Sequence, residues 1–183
     1  MFTVLAVIAV LLAAGIGLFM YWDVFVPQRT QLPAQMRGSP TKLADKRVPG
    51  FSLPGLVGPG FEAAALIYSK KPILVKFWGP WSAQCIQEYP LLMELQAARV
   101  EMWGIAFRDS RTNALDYLER NGNPYTRTAY DAAGRVASDW GVTNAPSTFL
   151  VDGEGIVRWH RAGPLTSQIM AREVWPLLER FSP

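Results

Sequence analysis

Pro72 is followed by six residues, Ile73-Leu74-Val75-Lys76-Phe77-Trp78, of which five are apolar. The run is too short for a buried helix and rich in side chains that favour a pleated surface, so it reads as a central strand. A helix follows from Gln84 to Ala97, with Ile86, Tyr89, Leu92, Met93 and Leu95 as its apolar positions and Pro90 as an internal irregularity. Val100 to Phe107 is a second strand of strong β formers. Ser110 is placed to cap a helix through Asn121, whose inner face is Ala114, Leu115 and Leu118. Asn121-Gly122-Asn123-Pro124 ends it, and a shorter helix stops at Trp140-Gly141. Ser147 to Val151, the turn Asp152-Gly153-Glu154-Gly155, and Ile156 to His160 make a hairpin. Ser167 to Phe181 is a closing helix in which Pro176 implies a kink. The order strand, helix, strand, helix, strand, strand, helix specifies an α/β fold: a mixed sheet flanked by helices on both faces.

A different kind of segment precedes this domain. Met1 to Trp22 carries no charged side chain, and Phe2 to Trp22 would span about 30 Å as a helix, the thickness of a bilayer core. Tyr21 and Trp22 stand where an interfacial aromatic belt would lie. A cleavable signal peptide would need a basic start, a shorter apolar core and small residues at its end. Here the start lacks Lys and Arg and the run ends in Phe-Met-Tyr-Trp, so residues 1–22 are expected to be an uncleaved transmembrane anchor. Residues 23–47, with Pro27, Pro33, Gly38, Ser39 and Pro40, read as a flexible linker, and the domain as residues 48–183.

Charge is concentrated in that linker. Arg29, Arg37, Lys42, Lys46 and Arg47 oppose Asp23 and Asp45, a net of +3, which equals the net charge of the whole chain. From Val48 onward acids and bases cancel, so nothing on the domain suggests a nucleic-acid partner. The linker's charge suits either a solvated spacer or a position near anionic headgroups. Arg29 and Arg37 after the apolar run would, by the positive-inside rule, put the domain in the cytoplasm. One cysteine excludes an internal disulfide framework, and one histidine excludes a multi-histidine metal centre. No glycine-rich phosphate loop or dinucleotide fingerprint is present, and no cofactor is expected.

The chemistry-bearing segment is Phe77-Trp78-Gly79-Pro80-Trp81-Ser82-Ala83-Gln84-Cys85-Ile86-Gln87-Glu88-Tyr89-Pro90, at a strand-to-helix junction. It resembles the thioredoxin superfamily pattern F-W-x-x-W-C-x-x-C-x-x-E-x-P with the first cysteine missing. Gly141-Val142-Thr143-Asn144-Ala145-Pro146-Ser147-Thr148-Phe149-Leu150-Val151-Asp152-Gly153-Glu154-Gly155-Ile156, Arg161-Ala162-Gly163 and Asn121-Gly122-Asn123-Pro124-Tyr125 extend the match. Over residues 47–180 the chain is similar to the membrane-tethered CcmG/DsbE branch, the thiol:disulfide interchange proteins of cytochrome c maturation. That resemblance implies a thioredoxin-like sheet and a single-pass inner-membrane protein with its domain in the periplasm, against the charge rule. Implied partners are apocytochrome c or cytochrome c assembly proteins, and a membrane thiol reductant.

In such proteins the first cysteine sits at a helix N-terminus, whose dipole and free N–H groups expose a thiolate. That thiolate attacks a disulfide, and the second cysteine resolves the mixed disulfide. Here Ser82 fills the attacking position and Cys85 the resolving one. A hydroxyl forms no disulfide and no histidine neighbours Ser82 to activate it, so the two-cysteine cycle cannot run in this chain alone. Ser82 is then read as a helix cap and Cys85 as a shielded thiol. The resemblance places a cis proline at Pro146, after Ala145, facing the site, and makes Trp81 part of a partner groove. Trp78 and Trp81 are expected in the core and at the rim, and His160 as a plain strand residue. Glu88 lies one turn beyond Cys85 and is either a supporting acid or a solvated helix charge. Lys76 interrupts the central strand where relatives carry Asp or Asn. It either pairs with Glu88, lowers the thiol pKa of Cys85, or sends its amine to water. Three functions follow: thiol:disulfide interchange with the one remaining cysteine or with help from a partner's thiol, a redox-inactive module that holds an apocytochrome or assembly partner in the groove beside Pro146 and Trp81, or a structural tether with the domain as an inert dock.

Overall fold

The computed structural model describes residues 38–183. The expected anchor, residues 1–22, and the linker as far as residue 37 lie outside it; among the described residues no helix is long and apolar enough to cross a membrane. In chain order the elements are β1 (Ser52–Leu53), β2 (Phe61–Glu62), α1 (Ala63–Tyr68), β3 (Ile73–Trp78), α2 (Ala83–Ala97), β4 (Met102–Phe107), α3 (Arg111–Asn121), β5 (Arg127–Asp131), α4 (Arg135–Asp139), β6 (Ser147–Val151) and β7 (Val157–Ala162). A last helical segment comprises α5 (Ser167–Ile169), a π-helical turn (Met170–Val174) and α6 (Trp175–Phe181).

Five strands form one mixed sheet in the order β5-β4-β3-β6-β7. β3 is its axis: it runs parallel to β4 and antiparallel to β6, and all six of its residues are buried. A strand covered on both faces reads as an unbroken apolar run, which is why the sequence identified it. Phe149 on β6 packs edge-on against Phe77 of β3 at 5.9 Å and against Trp140, after α4, at 5.0 Å, while Phe77 and Trp140 are tilted at 5.4 Å, and the three anchor the core.

Two pieces escaped the sequence reading. β5 is an edge strand with charged residues at both ends, Arg127 and Asp131, and too few apolar positions to show a period. Asp131 is buried because both carboxylate oxygens are used, accepting from Arg135 N at 3.0 Å and Ala137 N at 2.9 Å to hold the start of α4. β1 and β2 are two-residue strands, below the length at which alternation can be recognised. Two proline expectations also change. α2 runs without a break through Pro90. The closing helix widens to a π turn just before Pro176, where the proline's missing N–H and its ring would otherwise disturb a regular ladder.

The expected linker ends earlier than the sequence reading placed it. Residues from Gly38 to Val48 lie along β7: Ser39 N donates to His160 O at 2.6 Å, Ala162 N to Ser39 Oγ at 3.0 Å, Val157 N to Lys46 O at 2.9 Å and Val48 N to Gly155 O at 2.9 Å. Arg158 adds ion pairs to Asp45 at 3.1 Å and to Asp152. Gly38 has φ 61° and passes so close to β7 that a Cβ there would meet His160 O at 2.1 Å, so no other residue fits. The strap gives partners to an edge strand that would otherwise present free N–H and C=O groups.

His160 is more than a plain strand residue. Its ring stacks on Phe149 at 4.2 Å, and Nε2 lies 2.9 Å from Ser147 Oγ. Burial pushes its pKa down, with backbone groups of Ser39 and Pro40 offsetting part of the effect. The folded chain therefore favours neutral imidazole, whereas the unfolded chain takes up a proton near pH ~6.5. Stability is expected to fall as pH drops from about 7.5 to about 5.5, and His160→Phe to weaken that fall, in urea unfolding followed at both pH values.

Candidate functional site

At the C-terminal end of β3 the chain turns through Gly79-Pro80-Trp81 into α2. The turn is closed by Ser82 N donating to Gly79 O at 3.1 Å, and Cys85 N and Ile86 N then donate to Ser82 O. A Cβ on Gly79 would lie 2.2 Å from the indole nitrogen of Trp81, so only glycine lets that ring fold back over the turn. Trp81 remains 46% exposed while its Nε1 donates to Phe107 O at 3.1 Å and its ring meets Phe107 edge-on at 5.7 Å. It is the rim residue the sequence implied. Trp78 is buried and stacked on Tyr125.

Ser82 stands at the N-cap position with extended φ and ψ, but its hydroxyl caps nothing. It donates instead to Ala145 O at 2.8 Å. The Ala145–Pro146 peptide is cis, as the resemblance implied. Both Ser82 and Ala145 are buried, and a buried carbonyl left without a donor costs about 1–3 kcal/mol. That demand outweighs capping of an accessible helix end, which water also satisfies. The expected helix cap is thus a cross-link between the tip of α2 and the loop before β6.

Cys85 lies in the first turn of α2 and is 5% exposed. Burial pushes its thiol pKa up; the Gly79 backbone, the Lys76 charge and the Ser82 hydroxyl pull the other way and are outweighed. The thiolate, the nucleophilic form, is therefore disfavoured. Lys76 lowers this pKa as one contribution among several, without deciding it.

Beneath Cys85, Lys76 Nζ lies 2.8 Å from Glu88 Oε1 and donates to Thr148 Oγ1 at 2.9 Å. Glu88 Oε2 accepts from Leu165 N at 2.7 Å. Neither side chain reaches water, with relative exposures of 1% and 0%. The alternatives of a lysine amine in solvent and a solvated helix glutamate are both overturned. β3 is covered on both faces, so the lysine stem has no route outward and its charge is met inside.

Ser82, Cys85, Trp81, Ala145 and Pro146 thus meet at one end of the sheet, with Lys76 and Glu88 as the layer below. Three participants went unread. Thr148 faces Lys76 across the β3–β6 register, which a hairpin reading alone cannot supply. Tyr125 places a buried hydroxyl without a hydrogen-bond partner in the same layer, its pKa pushed well up by burial and then by the Glu88 charge. Arg108, directly after β4, has φ 52° and extends toward the loop before Pro146. Its signal is a backbone conformation that sequence does not reveal. Among the described residues no group of three His, Cys, Asp or Glu side chains could hold a metal ion.

The AhpC/TSA family model matches residues 44–160. A thiol:disulfide interchange protein DsbE from Xylella fastidiosa (strain 9a5c) is 43% identical over 137 residues, covering 74% of this chain and 70% of that protein. The protein of the same name from Escherichia coli (strain K12) is 38% identical over 141 residues, 76% of each chain. Among solved structures, a DsbF homologue from Corynebacterium diphtheriae superposes with a TM-score of 0.62 at 26% identity, covering 73% of this chain and 87% of that one. A thioredoxin-family thiol:disulfide interchange protein from Chlorobium tepidum gives 0.61 at 23% identity over 76% and 99% of the two chains, which speaks for the fold.

Removing one member of the buried ion pair leaves the other charge uncompensated. Glu88→Gln or Lys76→Met is expected to cost about 3–5 kcal/mol in urea unfolding, and the double change Lys76→Met with Glu88→Leu to recover most of it. Alkylation of Cys85 in the folded chain is expected to rise at higher pH than for the same chain in denaturant, and Lys76→Met to move the rise higher still, as read by timed iodoacetamide labelling. A profile identical in the two states would contradict the burial of the thiol.

Proposed function

We propose that this chain, which belongs to the AhpC/TSA family and within it to the DsbE-type thiol:disulfide interchange proteins, serves the maturation of c-type cytochromes by holding an extended apocytochrome segment in the groove beside Trp81 and Pro146. In this reading the apolar N-terminal run tethers the domain to the inner membrane and the domain works in the periplasm. The observation that carries the mechanism is the hydroxyl of Ser82 in the attacking slot, committed to Ala145 O. Interchange needs a thiolate there to displace one sulfur of a partner disulfide, leaving a mixed disulfide and a free partner thiolate. Oxygen forms no such bond, and the one sulfur in the site is buried with its pKa raised. What remains is a recognition surface: exposed Trp81 and Ile86 lie on either side of Ser82 in the chain, Ser82 is bonded to the cis-proline loop, and an extended peptide laid against such a loop would gain main-chain hydrogen bonds and apolar contact.

A second reading is interchange by Cys85 alone. Its thiolate would attack the partner disulfide and expel one partner thiolate; one thiol of a dithiol membrane reductant would then attack the partner sulfur of the mixed disulfide and expel Cys85, and the second reductant thiol would displace the other partner thiolate, leaving the reductant as a disulfide. The interchange activity named for the relatives supports this, as do the three groups that lower the Cys85 pKa.

Complementation of a host strain deleted for this chain separates them, with haem-stained holocytochrome c as the measurement. On the holding reading Cys85→Ser matches the parent, Trp81→Ala lowers the yield about tenfold through loss of an aromatic anchor, and trapped mixed disulfides are found only with Ser82→Cys. Loss of complementation in Cys85→Ser would instead establish the one-cysteine cycle. Full yield from Trp81→Ala would remove the groove from the function altogether.

A further inference from the structure

Arg108 occupies a position whose backbone suits another residue. Its φ of 52° lies in the left-handed region, where a residue with a β-carbon is disfavoured and glycine or asparagine is at home. The turn is held by Arg108 N donating to Asp131 O at 3.3 Å, a bond that needs no arginine side chain. A conformation kept against local preference marks a side chain with a task.

The side chain spans from Phe107 to the loop before the cis peptide. Its guanidinium carbon lies 5.8 Å from the centroid of Phe107, the ring that also supports Trp81. Nη1 lies 3.4 Å from the carbonyl of Thr143, two residues before Ala145. That long contact leaves most of the five N–H donors of the guanidinium free. Arg108 is exposed and forms no ion pair with any described residue. Two carboxylates linked to it through the backbone are already engaged: Asp109, the next residue, accepts from Ser110 N and from Asn113, and Asp131, whose carbonyl accepts from Arg108 N, is buried with both carboxylate oxygens used.

We propose that Arg108 is a selectivity residue of the groove, pairing with an Asp or Glu side chain on the extended segment that lies across Trp81 and Pro146. This rests on the holding reading above and adds to it the chemistry of the occupant. A planar fork with free donors matches a carboxylate through two parallel hydrogen bonds, and the Phe107 ring shields one of its faces from water.

The test uses the full chain in detergent micelles and two fluorescein-labelled peptides about nine residues long, a length that suits strand-like docking. Both are free of cysteine and carry a central serine; they differ only in Glu against Gln on either side of it. The parent is expected to bind the Glu peptide about fivefold more tightly at low salt, the upper end for a partly exposed ion pair. The preference should shrink toward none at about 1 M salt. Arg108→Gln, and Arg108→Gly as the variant suited to the backbone, should both erase it while binding the Gln peptide as the parent does. Equal binding of the two peptides by the parent, or a preference that survives Arg108→Gln, overturns the assignment and leaves the groove reading standing. Failure of the parent to bind either peptide overturns both.

Discussion

One pair of charges, Lys76 and Glu88, ties together four parts of the chain. Lys76 comes from the central strand and Glu88 from the helix that carries the site, while Thr148 of β6 and the backbone of Leu165 beyond β7 complete their shell. None of these groups can move without exposing a charge to a medium that solvates it poorly. The strand, the helix and the return strand are therefore held in one register directly under Cys85. A hydrophobic pair could fill the space with equal or greater stability; the ionic pair specifies orientation, because only one arrangement satisfies its geometry.

Above that layer the contact between Ser82 and Ala145 does for the loop what the ion pair does for the helix. An O–H···O bond of 2.8 Å joins two segments far apart in the chain. A thiol at the same place would donate more weakly and would ionise readily at a helix start. The serine hydroxyl is a fixing group: it ties the start of α2 to the loop before β6.

The fold was legible where burial is two-sided or where a local cap has a fixed offset. β3 and β4 announced themselves as apolar runs, and Ser110 accepts from Asn113 N as its spacing implied. β5 was not legible, since its stability comes from neighbours on β4 and from the backbone bonds made by Asp131 rather than from its own pattern. Ser82, Cys85, Trp81 and Pro146 were found through the resemblance of their motifs to the thioredoxin superfamily. The directions of polar side chains were not. Whether Ser82 faces its own helix or Ala145, and whether Lys76 reaches water or Glu88, is settled by which acceptors burial leaves unpaired. Arg108 was silent because its distinguishing feature is a torsion angle.

The strap along β7 has a geometric consequence. Ser39 meets Ala162, which pairs with Ser147, the residue after Pro146, and Gly163 N donates to Pro146 O at 2.9 Å. Gly38 and Ser39 thus sit at the Pro146 end of the sheet and not at the far pole beside the β6–β7 turn, so the strap fastens the same end of β7 that carries the cis peptide.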